Sequence, residues 1–365
     1  VAASPRNRFS DEKSLCVMET RLPVQEFNAR QTGNILNIST PELVARVDLS
    51  TGRIIFSDTT GKVLLKELAG GGKRLDPVTV EGTRGYSMRQ VFESPPDEAF
   101  YGLGQHQSDE FDYKGLNEVL YQYNTKVSVP FIISSKKYGL LWDNYSLTKF
   151  GDPRDYSQMD LFRLYDDKGA EGGLTASYYM NSDTGNMFIR RNESAIDYEN
   201  LTTVKNFPAR FPFQGSLITW KGTIEPKESG LYQFRLYYAG YTKLFVDDSL
   251  VVPERWRTAW NPNTYKFRMN LQKGSRHKIK LEWKPDGGIS YIGLKALSPR
   301  TEEERGELSL ASEMGDQIDY YFIRGTSMDD VISGYRTLTG KAPVMPEWAL
   351  GYWQSRERYK SQEEL

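Results

Sequence analysis

Hydrophobic and polar positions alternate with a period of two over much of this chain, the spacing of a strand with one buried face. Asn34–Ser39 and Leu43–Asp48 read as strands, and so do Arg53–Phe56 and Lys62–Leu65. Ser50-Thr51-Gly52 and Thr60-Gly61 supply the hairpin turns around them, because Gly and small polar residues accept turn geometry at low cost. Phe131–Ser134 and Tyr138–Trp142 flank Ser135-Lys136-Lys137 as another hairpin. Strands at this spacing predict a β-sandwich.

The pattern changes after Asp166–Gly173, a charged and Gly-rich break. Leu174–Met180 and Trp220–Ile224 read as strands. In Leu231–Tyr238, residues Tyr232, Phe234, Leu236 and Tyr238 share one face. Lys243–Val252 predicts a hairpin turning at Asp247-Asp248-Ser249, and Lys278–Trp283 points Ile279, Leu281 and Trp283 inward. This is a second β domain, over 172–299, and a charged linker over 300–315 leaves it. Asp319–Gly325 then resumes the strand pattern of the first domain. A helix follows. Thr326 or Ser327 caps it and Asp329 and Asp330 complement its dipole. Met328, Val331, Ile332, Tyr335 and Leu338 form its apolar stripe, and Gly340 ends it. The first sandwich is thus predicted to be discontinuous, 1–165 plus 316–342, with the second domain spliced between. Domain termini commonly lie close together, which permits this.

The stretch from Pro343 to Leu365 has a third character. Ala349–Trp353 is an apolar run long enough for a buried strand, a polar loop follows, and Ser361-Gln362-Glu363-Glu364 has the form of a capping box. A strand, a loop and a helix cap form the opening of a β/α architecture.

Composition removes several functions. The 47 basic and 48 acidic residues balance, so no strong field favours nucleic acid or an anionic membrane. No apolar run approaches the ~18 residues of a membrane span. One cysteine excludes an internal disulfide and a cysteine-built zinc site, and the two histidines, His106 and His277, leave little for a His-built metal site or a Ser-His-Asp triad. Asp247-Asp248 is an acidic pair in a tight turn. Calcium needs six to eight oxygens, no such set stands around it, and no metal or cofactor is expected. Aromatic residues are 13% of the chain, which suits either sheet packing or the flat faces of sugars. Arg255-Trp256-Arg257-Thr258-Ala259-Trp260 has two tryptophans in an irregular stretch. They either stack on a saccharide or cap the end of the sandwich.

Several stretches carry a family resemblance. PEWALGYWQSRERY, from Pro346 to Tyr359, resembles the entry into the (β/α)8 barrel of glycoside hydrolase family 31, in its α-xylosidase branch. Tyr101-Gly102-Leu103-Gly104, the strand containing Val129-Pro130-Phe131, and Tyr138–Trp142 resemble that family's N-terminal, galactose-mutarotase-like sandwich. Asp319-Tyr320-Tyr321 resembles its last strand. The succession from Leu231-Tyr232 to Asp247-Asp248-Ser249-Leu250 resembles the PA-14 domain, a lectin-like insert of glycosidases and adhesins. The fold implied is mainly β, with a discontinuous sandwich, a PA-14-type insert, and the first strand of a barrel of roughly 250 residues that is incomplete here.

The resemblance implies a retaining exo-α-glycosidase with two catalytic aspartates about 5–5.5 Å apart. In the family they lie on later barrel strands, so both the nucleophile and the acid/base are expected beyond Leu365. None of the aspartates here is assigned that role, since Asp109-Glu110 and Asp247-Asp248 are adjacent in sequence and not opposed across a pocket. What the chain is expected to supply is binding: Trp353, Gln354, Arg356 and Tyr359 after the first barrel strand, and Gln122 and Asn124 in the loop Tyr121–Ser128. In the family that loop reaches over the barrel, and many relatives have W-N-x-D where this chain has Tyr123-Asn124-Thr125-Lys126. Trp256 and Trp260 belong to the insert. The expected partners are an oligosaccharide and the remainder of the barrel. The substrate expected first is a xyloglucan oligosaccharide, with α-glucosidase activity as the alternative. A non-catalytic carbohydrate-binding or adhesion protein is the alternative from another class, and a structural module without sugar affinity is a third. The start at Val1 without a signal peptide suggests a processed product, and polysaccharide degradation suggests export.

Overall fold

The structure, a computed structural model, describes every residue except 7, 19–25, 107–109, 125, 200–205, 260–263, 287–289, 354–357 and 365. Among the described residues the strands form four sheets, all antiparallel in the pairings observed. The five-stranded sheet sets Ala2–Ala3, Ile318–Arg324, Tyr138–Trp142, Val127–Ser134 and Phe100–Gln105 side by side. The ten-stranded sheet runs from Glu118–Leu120 through Thr148–Phe150, Glu307–Gly315 and Thr83–Glu93, and on through the N-terminal strands to Asn28–Thr32. Phe92, Phe100, Leu140, Trp142, Phe150, Leu310 and Tyr320 fill the space between them.

Several polar groups buried in this sandwich are matched. Trp142 Nε1 donates to Ser312 Oγ at 2.8 Å, and the Tyr320 hydroxyl donates to Glu67 Oε1 at 2.7 Å, each bond joining one sheet to the other. Glu67 also accepts from the backbone N–H of Ile54 and pairs with Lys73, so its burial leaves no charge alone. The sandwich closes across the second domain. Ile318–Arg324 pairs with Tyr138–Trp142 from Tyr138 opposite Arg324 to Trp142 opposite Tyr320, although the insert separates them in sequence.

Two boundaries move. Glu307–Gly315 is no linker. It is an interior strand of the ten-stranded sheet, between Thr83–Glu93 and Thr148–Phe150, and only Glu302–Arg305 before it is a single helical turn, boxed by Thr301 and Glu304. Serines at buried positions hid the strand from its periodicity. Ser309 donates to the Gly151 carbonyl and Ser312 bonds Thr148 and Trp142, so a polar letter occupies a core place. Conversely Phe162–Tyr165, assigned to the first sandwich by sequence, pairs with Thr223–Pro226 and so belongs to the insert.

The insert packs the seven-stranded sheet on the four-stranded one. Tyr232, Phe234, Leu236 and Tyr238 all point into its core with Trp220, Leu281 and Trp283, as the period-two pattern predicts. Both tryptophan N–H groups find acceptors: Trp220 on Glu193 and Trp283 on the Ala239 carbonyl, each at 2.7 Å. At the hairpin tip Asp247 (φ 49°) and Asp248 (φ 64°) are both left-handed, the geometry of a two-residue turn matched to strand twist. The Asp247 carboxylate accepts from the Lys278 N–H at 2.8 Å and lies 2.7 Å from His277 Nδ1, so its visible role is to tie two strands.

The helix Met328–Thr339 starts at a capping box formed by Ser327 and Asp330 and rests on the outer face of the five-stranded sheet. Val331 and Leu338 are buried, whereas Met328 and Ile332, which sequence places in the same stripe, are exposed. In 343–364 the expected strand is absent among the described residues. Glu347–Leu350 forms a 3₁₀ turn, Gln362–Glu364 another, and Leu350, Tyr352 and Trp353 are exposed. A strand needs a neighbour to satisfy its backbone, and among the described residues no strand pairs with this segment. The last residue of the expected barrel entry, Leu365, lies outside the described residues. No helix of the described residues is long and apolar enough to cross a membrane.

Candidate functional site

A cleft of about 290 Å³ opens where the first sandwich meets the insert. Its floor on the sandwich side is the strand Glu118–Leu120 and the loop that follows it, with Tyr156 from the crossing into the insert. On the insert side the outward positions of Gly230–Tyr238 supply Arg235 and Tyr237, and Thr264–Leu271 supplies Lys266. Inward positions on the same strand build the core, so the period of two forces the alternate residues to face the cleft.

Polar bonds hold the two domains together around it. Lys266 Nζ donates to Glu118 Oε2 at 2.9 Å, Gln233 donates to the Gly115 carbonyl at 3.1 Å, and Ser157 bridges Ala296 through the backbone. Lys126 reaches Glu118 Oε1 at 3.1 Å. Burial pushes the Glu118 carboxyl up, but the nearby Lys266 and Lys126 ammonium groups outweigh it and hold the carboxyl at about 2. Burial lowers the Lys126 ammonium in turn, only partly offset by Glu118. Three rings surround these charges. Tyr121 lies under the Lys126 ammonium at 4.3 Å. The Arg235 guanidinium stands 5.3 Å from the Tyr156 ring and 5.8 Å from that of Tyr237. Burial raises the Tyr156 phenol to about 12, so it remains a neutral hydroxyl, donating to Asn117 Oδ1 at 2.9 Å. Tyr237 stacks on Tyr291 with centroids 4.5 Å apart. The Tyr291 hydroxyl donates to the Ala259 carbonyl at 3.2 Å, and burial raises its phenol well above the usual value. Tyr237, at the cleft, is thus linked through Tyr291 to the Thr258–Ala259 stretch of the insert.

Rings with charged and hydroxyl groups at their edges suit a polyhydroxylated ligand, which presents apolar C–H faces and polar rims. The sequence candidates stand in different places. Gln122 is a brace: its amide Nε2 donates to the Ser128 carbonyl at 2.8 Å and its Oε1 accepts from the Ser128 N–H at 3.1 Å, closing the loop. Asn124 is exposed at the loop tip. Trp256 stands on the outer face of the seven-stranded sheet, and Trp353 leans on Trp348 with its N–H on the Ala349 carbonyl. Tyr359 is half-buried, and neither Trp353 nor Tyr359 lines the cleft. Trp260, Gln354 and Arg356 lie outside the described residues. Sequence reasoning passed over Glu118, Tyr156, Arg235, Tyr237 and Lys266. One signal was present: Tyr237 is an aromatic at an outward position beside the inward Tyr238.

A triad-like arrangement also appears where two histidines left little room for one. Ser275 Oγ lies 2.8 Å from His277 Nε2, and His277 Nδ1 lies 2.7 Å from Asp247 Oδ2. The serine hydroxyl is 2.6 Å from the Gln272 carbonyl as well, and the three residues line no part of the cleft. They fasten a turn to the hairpin tip.

Comparison with known proteins agrees with this architecture. Residues 1–150 match the glycosyl hydrolase 31 N-terminal galactose mutarotase-like domain. Residues 170–301 match the PA14 domain. The chain resembles the N-terminal part of a family 31 glycoside hydrolase carrying a PA14 insert. The crystal structure of a GH31 α-xylosidase from Xanthomonas citri superposes on 100% of this chain and 39% of its own, with a TM-score of 0.88 and 42% identity. An α-xylosidase of Saccharolobus solfataricus is 27% identical over 341 residues, 91% of this chain and 25% of its own. An α-glucosidase of Bacillus thermoamyloliquefaciens is 46% identical over 165 residues, 42% of this chain and 19% of its own. The chain therefore spans a quarter or less of these two family 31 relatives.

Proposed function

We propose that this chain is the front part of a retaining exo-α-glycosidase, an α-xylosidase acting on xyloglucan oligosaccharides, and that the junction cleft forms part of the rim that holds the substrate. The observation that carries this reading is the whole-chain likeness to the Xanthomonas citri α-xylosidase, which spans the sandwich and the PA14 domain together. In this reading the catalytic aspartates come from the barrel of the complete protein, beyond Leu365. The cleft acts through Tyr121, Tyr156 and Tyr237 and the charges between them. Trp353, Gln354, Arg356 and Tyr359 join the rim once a barrel surrounds them. Remote contacts of this kind orient a substrate whose bond is broken elsewhere. The complete protein is exported to meet its polymer. The Bacillus α-glucosidase, 46% identical over its matched region, favours α-glucosidase activity as the second reading.

Titration calorimetry with xyloglucan oligosaccharides beside maltose-series sugars, together with hydrolysis assays on both, tests it. Binding of the xylosylated sugars, weakened about tenfold by Tyr237→Ala and without turnover, is the expected result. Preference for the maltose series moves the reading to α-glucosidase. Turnover by this chain alone overturns the placement of the aspartates, and absence of binding to both series overturns the role of the cleft.

A further inference from the structure

The seven-stranded sheet has an outer face that the alternation of its strands leaves to solvent, and over Gly240–Val246, Ser249–Arg257 and His277–Lys284 that face carries several ion pairs. Lys243 pairs with Glu254 at 3.1 Å, Lys284 approaches the same carboxylate at 3.8 Å, and Lys280 pairs with Glu282. At one end two aromatic residues interrupt the charges. Tyr241 and Trp256 are directly opposite each other in the Gly240–Val246 and Ser249–Arg257 pairing, so their rings leave the sheet on the same side. They are 44% and 47% exposed, whereas Trp142, Trp220 and Trp283 are fully buried. Trp256 does not dangle: its Nε1 donates to Asp286 Oδ2 at 2.6 Å, which fixes the ring's orientation.

We propose that Tyr241 and Trp256 form a second saccharide platform, on the outside of the insert, that takes a neutral polysaccharide chain beyond the part held in the cleft. This rests on the reading of the protein as a glycosidase front end. The chemistry of the patch selects the ligand. Two exposed rings on the same side of paired strands offer apolar faces to pyranose C–H groups, while Glu254, Asp286 and the lysines stand nearby to bond hydroxyls. The two lysines and two carboxylates balance, so the patch carries no excess charge to attract an anionic polymer or a phosphate. A ring already oriented by a hydrogen bond loses little freedom when a sugar stacks on it.

The platform and the cleft bind different lengths of the same substrate, which separates their tests. Affinity electrophoresis of the 365-residue chain in gels containing soluble xyloglucan, mixed-linkage β-glucan or starch measures polymer binding. Calorimetry with a xyloglucan heptasaccharide measures the cleft. Trp256→Ala and Tyr241→Ala are expected to weaken binding to at least one polymer about tenfold each, the loss of one stacking contact, and to leave heptasaccharide binding within about twofold. Trp256→Phe keeps a ring but loses the bond to Asp286, and is expected to retain most of the affinity. This variant guards against a folding artefact, because a merely structural tryptophan would fail in both substitutions. Polymer retardation unchanged in Trp256→Ala and Tyr241→Ala, or no retardation of the unaltered chain in any gel, overturns the platform. Loss of heptasaccharide binding in Tyr237→Ala with polymer binding intact leaves the platform standing, and an unaltered chain that binds polymer but not heptasaccharide sinks the cleft alone.

Discussion

Two regions of this chain mix apolar with charged residues and end in opposite states. At the junction between the sandwich and the insert, Glu118, Lys126 and Lys266 are nearly buried and each is bonded to another. Beyond the helix, Val344, Leu350 and Tyr352 are among the most exposed apolar residues of the protein. The difference lies in what the chain places opposite. The strand Glu118–Leu120 emerges beside the insert, where Thr264–Leu271 supplies a cation for its carboxylate. The segment after Pro346 emerges where no described strand stands alongside. Local sequence sets an element's capacity to bury a face, and the partner decides whether it does so.

The largest test of that contrast is Glu118→Gln. It leaves two poorly exposed ammonium groups without their shared carboxylate, and removing one partner of a buried ion cluster costs about 3–5 kcal/mol. Denaturant unfolding of the variant checks this, and a loss below about 1 kcal/mol would mean that the junction is wetter than its geometry indicates. The same group predicts an acid dependence. Its carboxyl titrates at about 2 when folded against an ordinary 4.5, so the unfolded chain takes up the proton first as pH falls. The stabilisation is fully present above pH 4.5 and is lost progressively as pH falls towards 2. Calorimetric melting from about pH 6 down to about pH 2.5 should show that loss in the unaltered protein. Glu118→Gln should lack the part of it that falls below pH 4.5.

The helix Met328–Thr339 contains the contrast within two neighbouring residues. Val331 is fully buried against the five-stranded sheet, while Ile332 is 42% exposed. Val331→Ala is expected to cost about 2 kcal/mol and Ile332→Ala less than about 0.5 kcal/mol, both read from chemical unfolding. Equal losses would place the whole stripe against protein and remove the distinction.

These contrasts also explain what could be read from the letters. The hairpins around Ser135-Lys136-Lys137 and Asp247-Asp248, and the inward row Tyr232, Phe234, Leu236, Tyr238, follow from period two and turn chemistry, which are local. Glu307–Gly315 escaped because Ser309 and Ser312 owe their burial to hydrogen-bond partners that arrive from distant parts of the chain. The cleft escaped for the same reason. Lys266 and Glu118 are ordinary surface letters until the fold places them 2.9 Å apart. Gln122 was legible as a loop residue, yet its amide is used to close that loop on Ser128. Trp256 was legible only as a ring that either meets a sugar or caps the sandwich, and neither its place on the strand Ser249–Arg257 nor its alignment with Tyr241, which depends on register, could be read.

The smallest expected effect is the most discriminating. Leu350 and Tyr352 are 77% and 88% exposed, and neither has a core cluster beneath it. Replacing each by alanine in this chain should change its stability by less than about 0.5 kcal/mol, the range of surface substitutions away from special features. In a longer protein in which the proposed barrel surrounds this segment, the same replacements bury a deficit and should cost about 2–5 kcal/mol. A double variant, Leu350→Ala with Tyr352→Ala, unfolded in both contexts, reads the difference directly. A loss above about 1 kcal/mol in the short chain would show that the segment already packs on the sandwich, and the opposition between a closed junction and an open tail would then fail. Silence in both contexts would leave the tail without a partner, and the apolar run from Ala349 to Trp353 would then need another explanation than an unfinished strand.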